Sequence, residues 1–132
     1  MENFIVNLPV YFILVFTLIT FLQSGIDKLL DWKGNYGWLT EHFKGTFMGG
    51  MVSLLLGIIL VLEIITGLLA IAAIFTLYIN EDLGLSQWAL GLAAITLLML
   101  LFGQRVAKDY AGAFTIVGYF IVVIFGLFLV TA

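Results

Sequence analysis

The chain has 132 residues, 64% of them hydrophobic and 10% charged, with a mean hydropathy of +1.23. A soluble domain of this length would leave much of that apolar surface in water, so a bilayer is the required solvent. One proline, one histidine and no cysteine argue against a disulfide framework, a thiol redox centre and a Cys-rich zinc or iron–sulfur site, and a formal charge of −3 without a basic tract argues against a nucleic-acid partner.

About 20 mainly apolar residues cross ~30 Å of hydrocarbon as a helix. Four segments reach or approach that length, which predicts an all-α integral membrane four-helix bundle, a single transmembrane domain over 1–132. The first span runs from about Leu8 to Gly25, with Asn7 as candidate cap and Pro9 in the first turn, where its missing N–H has no partner to lose. Its flank, Met1 to Asn7, lacks Lys and Arg, and no small-residue cleavage site follows, so it reads as a span and not a signal peptide.

In the next connection Trp32, Tyr36, Leu39 and Phe43 follow helical spacing, with Lys33, Thr40, Glu41 and Lys44 between them. This predicts a short interfacial helix between the first two spans, either an anchor or a lid over a pocket. Gly34 and Gly37 limit its extension toward its start. His42 has no second nitrogen or sulfur ligand nearby, so it reads as a headgroup-level hydrogen-bonding group or a proton relay, and no metal site is assigned. Gly49 and Gly50 precede Met-Val-Ser, which is no phosphate cradle.

The second span, from about Met48 to Tyr78, is longer than the hydrocarbon is thick and implies tilt or an interfacial extension. Glu63 interrupts it. An ionised carboxylate at mid-bilayer costs about 2.5–3.5 kcal/mol, so Glu63 is protonated, paired or facing water. At 100° per residue Gly49, Ser53, Gly57, Glu63, Gly67 and Ala70 share one side, which turns Glu63 toward the bundle. It is a candidate proton carrier, or else a neutral acid hydrogen-bonded to a neighbouring helix. Counted from Met48, it lies ~22 Å along the helix, beyond direct reach of Lys28 or Arg105.

The third span runs from Ser86, a candidate N-cap, to about Phe102, and the fourth from about Ala111 to Val130. Trp32, Tyr36, Trp38, Tyr78, Trp88 and Tyr110 fall near span ends, where amphipathic rings favour the headgroup level. All five basic residues lie in two connections: Lys28, Lys33 and Lys44 within 26–47, Arg105 and Lys108 within 103–110. The positive-inside rule therefore predicts cytoplasmic basic loops and both termini outside. Gln23, Ser24, Asp27 and Lys28 share a level with Gln104, Arg105, Lys108 and Asp109, so Asp27 is expected to pair with Arg105 or Lys108, and Asp109 with Lys28, unless these charges only set topology.

The string Ser24-Gly25-Ile26-Asp27-Lys28-Leu29-Leu30-Asp31 resembles the Gly-x-x-Lys end of the first helix in DoxX-like membrane proteins. Chain length, four spans, the aromatic first connection through His42-Phe43-Lys44-Gly45-Thr46 and the turn Gln104 to Tyr110 extend the resemblance over the whole chain. It implies the four-helix fold and, in the bacterial inner membrane, the membrane subunit of a quinone-linked oxidoreductase; of that family's pattern, Gly25 and Lys28 match here.

The leading expectation is a subunit that binds a quinone or other lipidic ligand in a crevice open to the cytoplasmic half. Gln23, Lys28, Gln104 and Arg105 would contact the headgroup, and Glu63 would exchange the accompanying proton. The chain has no redox centre of its own, so electrons come from a larger membrane complex, and any enzyme activity is at most that of such a subunit. Two alternatives stand beside it. One is a small proton-coupled transporter in which Glu63 alternates between a proton and a cationic substrate. The other is a ligand-free structural or assembly subunit, its glycines packing against a larger partner or a second copy.

Overall fold

The computed structural model of the protein describes residues 2–132, with side chains from Phe4 onward. Among the described residues are six α-helices and no strand: α1 (Glu2–Val6), α2 (Leu8–Leu30), α3 (Trp32–His42), α4 (Val52–Asn80), α5 (Gly84–Val106) and α6 (Tyr110–Thr131). A single 3-10 turn, Gly49–Met51, leads into α4. Helices α2, α4, α5 and α6 are long and apolar enough to cross a membrane, and the protein is a multi-pass all-α bundle.

The helix ends differ from the expected bounds for identifiable reasons. α2 continues past Gly25 to Leu30, because the charged residues of its last turns are tolerated by a helix whose Lys28 finds a partner. Asn7 makes no side-chain cap, although Pro9 does sit in the first turn. Ser86 lies inside α5 and is buried; Asp82 instead accepts from Gly84 N–H at 2.8 Å where that helix begins. Asp31 and Asp109 cap α3 and α6, accepting from Gly34 N–H at 3.1 Å and Gly112 N–H at 2.9 Å. Glu81 and Lys108, at φ 55° and 60°, close α4 and α5 in the left-handed conformation. The Lys108 turn is sealed by Asp109 N–H donating to Gln104 C=O at 2.9 Å.

Inside a bilayer, burying an apolar side chain against another helix gains little transfer free energy, so close backbone approach matters more. α4 packs most extensively against α2 and α5, and α6 against α5, so the four spans follow chain order around the bundle and the α6–α2 seam is the loosest. Glycines bring α2 and α4 together: a Cβ on Gly67 would lie 2.8 Å from Leu22 Cβ, and one on Gly25 would lie 2.6 Å from Ile64 Cδ1. These contacts set an antiparallel register in which Glu63 stands level with Ile26.

The buried face of α4 carries Val52, Leu56, Glu63, Thr66, Gly67, Ala70, Ala73 and Leu77. It includes only part of the expected small-residue stripe. Ser53 is exposed and a Cβ on Gly57 would meet nothing, because both lie to one side of the face centred on Leu56, Glu63 and Ala70. Leu14, Phe21, Leu90, Leu97 and Val123 complete the core. Phe12, Phe75, Phe114 and Phe128 point outward, where acyl chains solvate them.

Candidate functional site

Helical side chains lean toward the N-terminus of their own helix. In antiparallel α2 and α4 that rule tips Lys28 toward the middle of the bundle and Glu63 back toward the start of α4, so the two converge. Lys28 Nζ lies 2.7 Å from Glu63 Oε1 and donates to Ser24 Oγ at 2.7 Å. Only 16% and 4% of the two side chains remain exposed. Glu63 therefore satisfies the cost of its charge by pairing, and the expectation that Lys28 stays out of reach is corrected. A count along α4 alone missed both the extra turn of α2 and the inward lean of the lysine.

Two cavities flank this pair. The first, about 220 Å³, lies beneath α3 and is lined by Lys28, Asn35, Trp38, His42 and Gln104 over apolar residues that include Val52, Leu56 and Leu100. The second, about 440 Å³, is a cleft at the α2–α6 seam lined by Thr20, Gln23, Ser24, Asp27, Glu63 and Tyr119, with Ile19, Leu97, Leu100 and Ile116. Lys28 borders the first cavity and Glu63 the second, so the ion pair forms part of the wall between them.

At the far side of the first cavity, His42 Nε2 lies 2.8 Å from Gln104 Oε1 and 3.7 Å from Asp109 Oδ2. The Trp38 ring stacks on the imidazole at 4.5 Å, and Phe43 meets it edge-on at 5.2 Å. Phe43, Met48 and Val52 form a small apolar cluster that fastens the end of α3 to the start of α4. The face of α3 turned to the cavity is Asn35, Trp38, Leu39 and His42. Of the helically spaced Trp32, Tyr36, Leu39 and Phe43, Leu39 lines this cavity and Phe43 is buried beside it, while Tyr36 is exposed.

The expected site residues separate into three places. Lys28 and Gln104 meet the first cavity, from α2 and α5. Gln23 and Glu63 border the second. Arg105 stays outside both, exposed, with its guanidinium 5.0 Å from the centre of the Tyr110 ring. The expected cross-pairs of Asp27 with Arg105 or Lys108, and of Asp109 with Lys28, do not form among the described residues. α3 folds between the end of α2 and the α5–α6 turn, and His42 takes the place beside Asp109. Sequence reasoning left Asn35 and Trp38 out of the site, although their spacing with Leu39 and His42 is the i, i+3, i+4, i+7 signal of one helix face.

The first cavity thus offers an ammonium, an imidazole and two carboxamides, those of Asn35 and Gln104, at polar points on apolar walls, a set suited to a headgroup carrying oxygen acceptors. Among the described residues, no three His, Asp or Glu side chains come together in a way that would hold a metal ion. No family model, no curated protein and no solved structure matches the chain.

Proposed function

We propose that the protein is a membrane subunit that binds a quinone or another lipidic ligand with an oxygen-bearing headgroup, serving an oxidoreductase complex while carrying no redox centre itself. The observation that carries this reading is the meeting of Lys28, Asn35, His42 and Gln104 around one cavity whose other walls are mainly apolar. Reduction of a quinone to a quinol takes two electrons and two protons. The electrons come from a partner in the complex and both protons come ultimately from water; Glu63, a carboxylate while paired with Lys28, carries one only after that pair parts and it takes the proton up. The resemblance to DoxX-like proteins supports the same reading, with the bacterial inner membrane as the location. The distribution of the five basic residues supports cytoplasmic loops at 26–47 and 103–110 and both termini outside.

Trp38 lines the cavity and provides the test. The full chain in lipid nanodiscs is titrated with a short-chain quinone while tryptophan emission is followed, and a Trp38→Phe variant subtracts the signal of Trp32 and Trp88. Saturable quenching of Trp38 that weakens in Gln104→Leu supports the site. Linear quenching of equal slope in both proteins shows partition into lipid and ends the reading.

A small proton-coupled transporter is a second reading, favoured by one observation: an ion pair lies between two cavities, Lys28 lining one and Glu63 the other. Substrate-dependent proton flux in liposomes containing this protein alone would distinguish it from a binding subunit.

A further inference from the structure

The α2–α6 cleft is separate from the cavity under α3 and differs from it in charge. Thr20, Gln23, Ser24 and Asp27 recur at i, i+3, i+4 and i+7, forming one polar stripe along α2 that faces this cleft. By the register of Gly67 on Leu22, Gln23 stands level with Thr66, midway along α4, so the stripe runs from the middle of the bundle toward the charged end of α2, where Asp27 lies. Yet Gln23 and Asp27 are exposed. A polar group as deep as Gln23 is costly against acyl chains, and a polar stripe leading inward from a charged helix end marks a pathway or a ligand.

The sign of the charge selects the ligand. Glu63 is neutralised by Lys28, whose ammonium lies on the other side of the wall, whereas Asp27 has no ion pair among the described residues. The cleft therefore holds one uncompensated negative charge. Tyr119 supplies an aromatic surface, and Ile19, Leu97 and Ile116 supply apolar wall. α2 and α6 touch where the Phe16 and Tyr119 rings lie 5.9 Å apart, and the cleft continues from there toward Asp27, open to the side. We propose that this cleft binds a lipophilic cation, which enters sideways from the bilayer and takes Asp27 as its counter-ion. The inference does not depend on the quinone reading, which concerns the other cavity.

The test is equilibrium binding of radiolabelled tetraphenylphosphonium to the full chain in phosphatidylcholine nanodiscs, with triphenylphosphine oxide as an uncharged aromatic competitor. Saturable binding of one cation per chain, resistant to triphenylphosphine oxide, is expected. Asp27→Asn should weaken it at least about tenfold without changing thermal unfolding, since the side chain is exposed and unpaired. Arg105→Gln, outside the cleft, should leave it unchanged. Wild-type affinity in Asp27→Asn, or displacement by triphenylphosphine oxide as effective as by unlabelled tetraphenylphosphonium, would overturn the proposal. So would efficient disulfide cross-linking between Gln23→Cys chains that the phosphonium does not suppress, because a second copy would then fill the cleft.

Discussion

Lys28 and Glu63 stand 2.7 Å apart across the seam between α2 and α4, each bordering a different cavity. A buried ion pair of this kind adds little net stability over an apolar pair, but losing one partner strands the other charge. Lys28→Met is therefore expected to destabilise the bundle by about 3 kcal/mol. The double variant Lys28→Met/Glu63→Met should recover most of that loss. Unfolding in mixed micelles, monitored by circular dichroism, measures both; additive effects of the two substitutions would show that the charges do not depend on each other.

The glycine seam gives a contrast between two positions on one helix. A Cβ on Gly67 would lie 2.8 Å from Leu22 Cβ and 3.1 Å from its Cα, which only a backbone shift relieves. Gly67→Ala should cost about 1–3 kcal/mol. Gly57→Ala meets nothing, and should be neutral or stabilising by up to about 1 kcal/mol through helix propensity. The same unfolding measurement ranks them, and equal effects would contradict the close approach of α2 and α4.

α3 is held at its end by the His42–Gln104 hydrogen bond and by the apolar cluster around Phe43. Removing the first with His42→Ala should cost about 1 kcal/mol and raise hydrogen exchange in the amides of 32–42 more than in α5. Unchanged exchange would mean that the cluster alone holds the helix down.

Lys108 occupies the left-handed turn after α5 at φ 60°. An L-residue there carries strain of roughly 1–2 kcal/mol that glycine lacks, partly offset by glycine's greater freedom in the unfolded chain. Lys108→Gly is accordingly expected to raise stability by about 1 kcal/mol. A loss of stability would point to a role of the ammonium group that outweighs the turn.

Much of the architecture was legible because it follows from solvent. Runs such as Leu54–Leu62 have only one sustainable environment, and a carboxylate among them, Glu63, has only one sustainable direction. The caps at Asp31 and Asp109 were not read, Asn7 and Ser86 being the expected ones, although each begins an Asp-x-x-Gly spacing, 31–34 and 109–112, that carries the signal. The partner of Glu63 was not. Its identity depends on where α2 ends and on the lean of Lys28, both properties of two helices together. Periodicity likewise placed Ser53 and Gly57 beside Glu63, because a stripe more than 100° wide contains residues that only a neighbour can assign to the inside. The cleft at Gln23 and Asp27 depends on the looseness of one seam, and no pattern along a single helix encodes that spacing.

The continuous helical stem Gly49–Asn80 has 32 residues, or ~48 Å at 1.5 Å per residue. Lying wholly within ~30 Å of hydrocarbon would require a lean of roughly 50°, steeper than the 0–40° seen for such helices. Part of the stem must emerge at one surface or the other, and at its amino-terminal end it supports α3 through Val52 and Met48. Acyl-chain length thus sets how far that end stands clear of the lipid, so membranes of different thickness would present the α3 cavity at different depths.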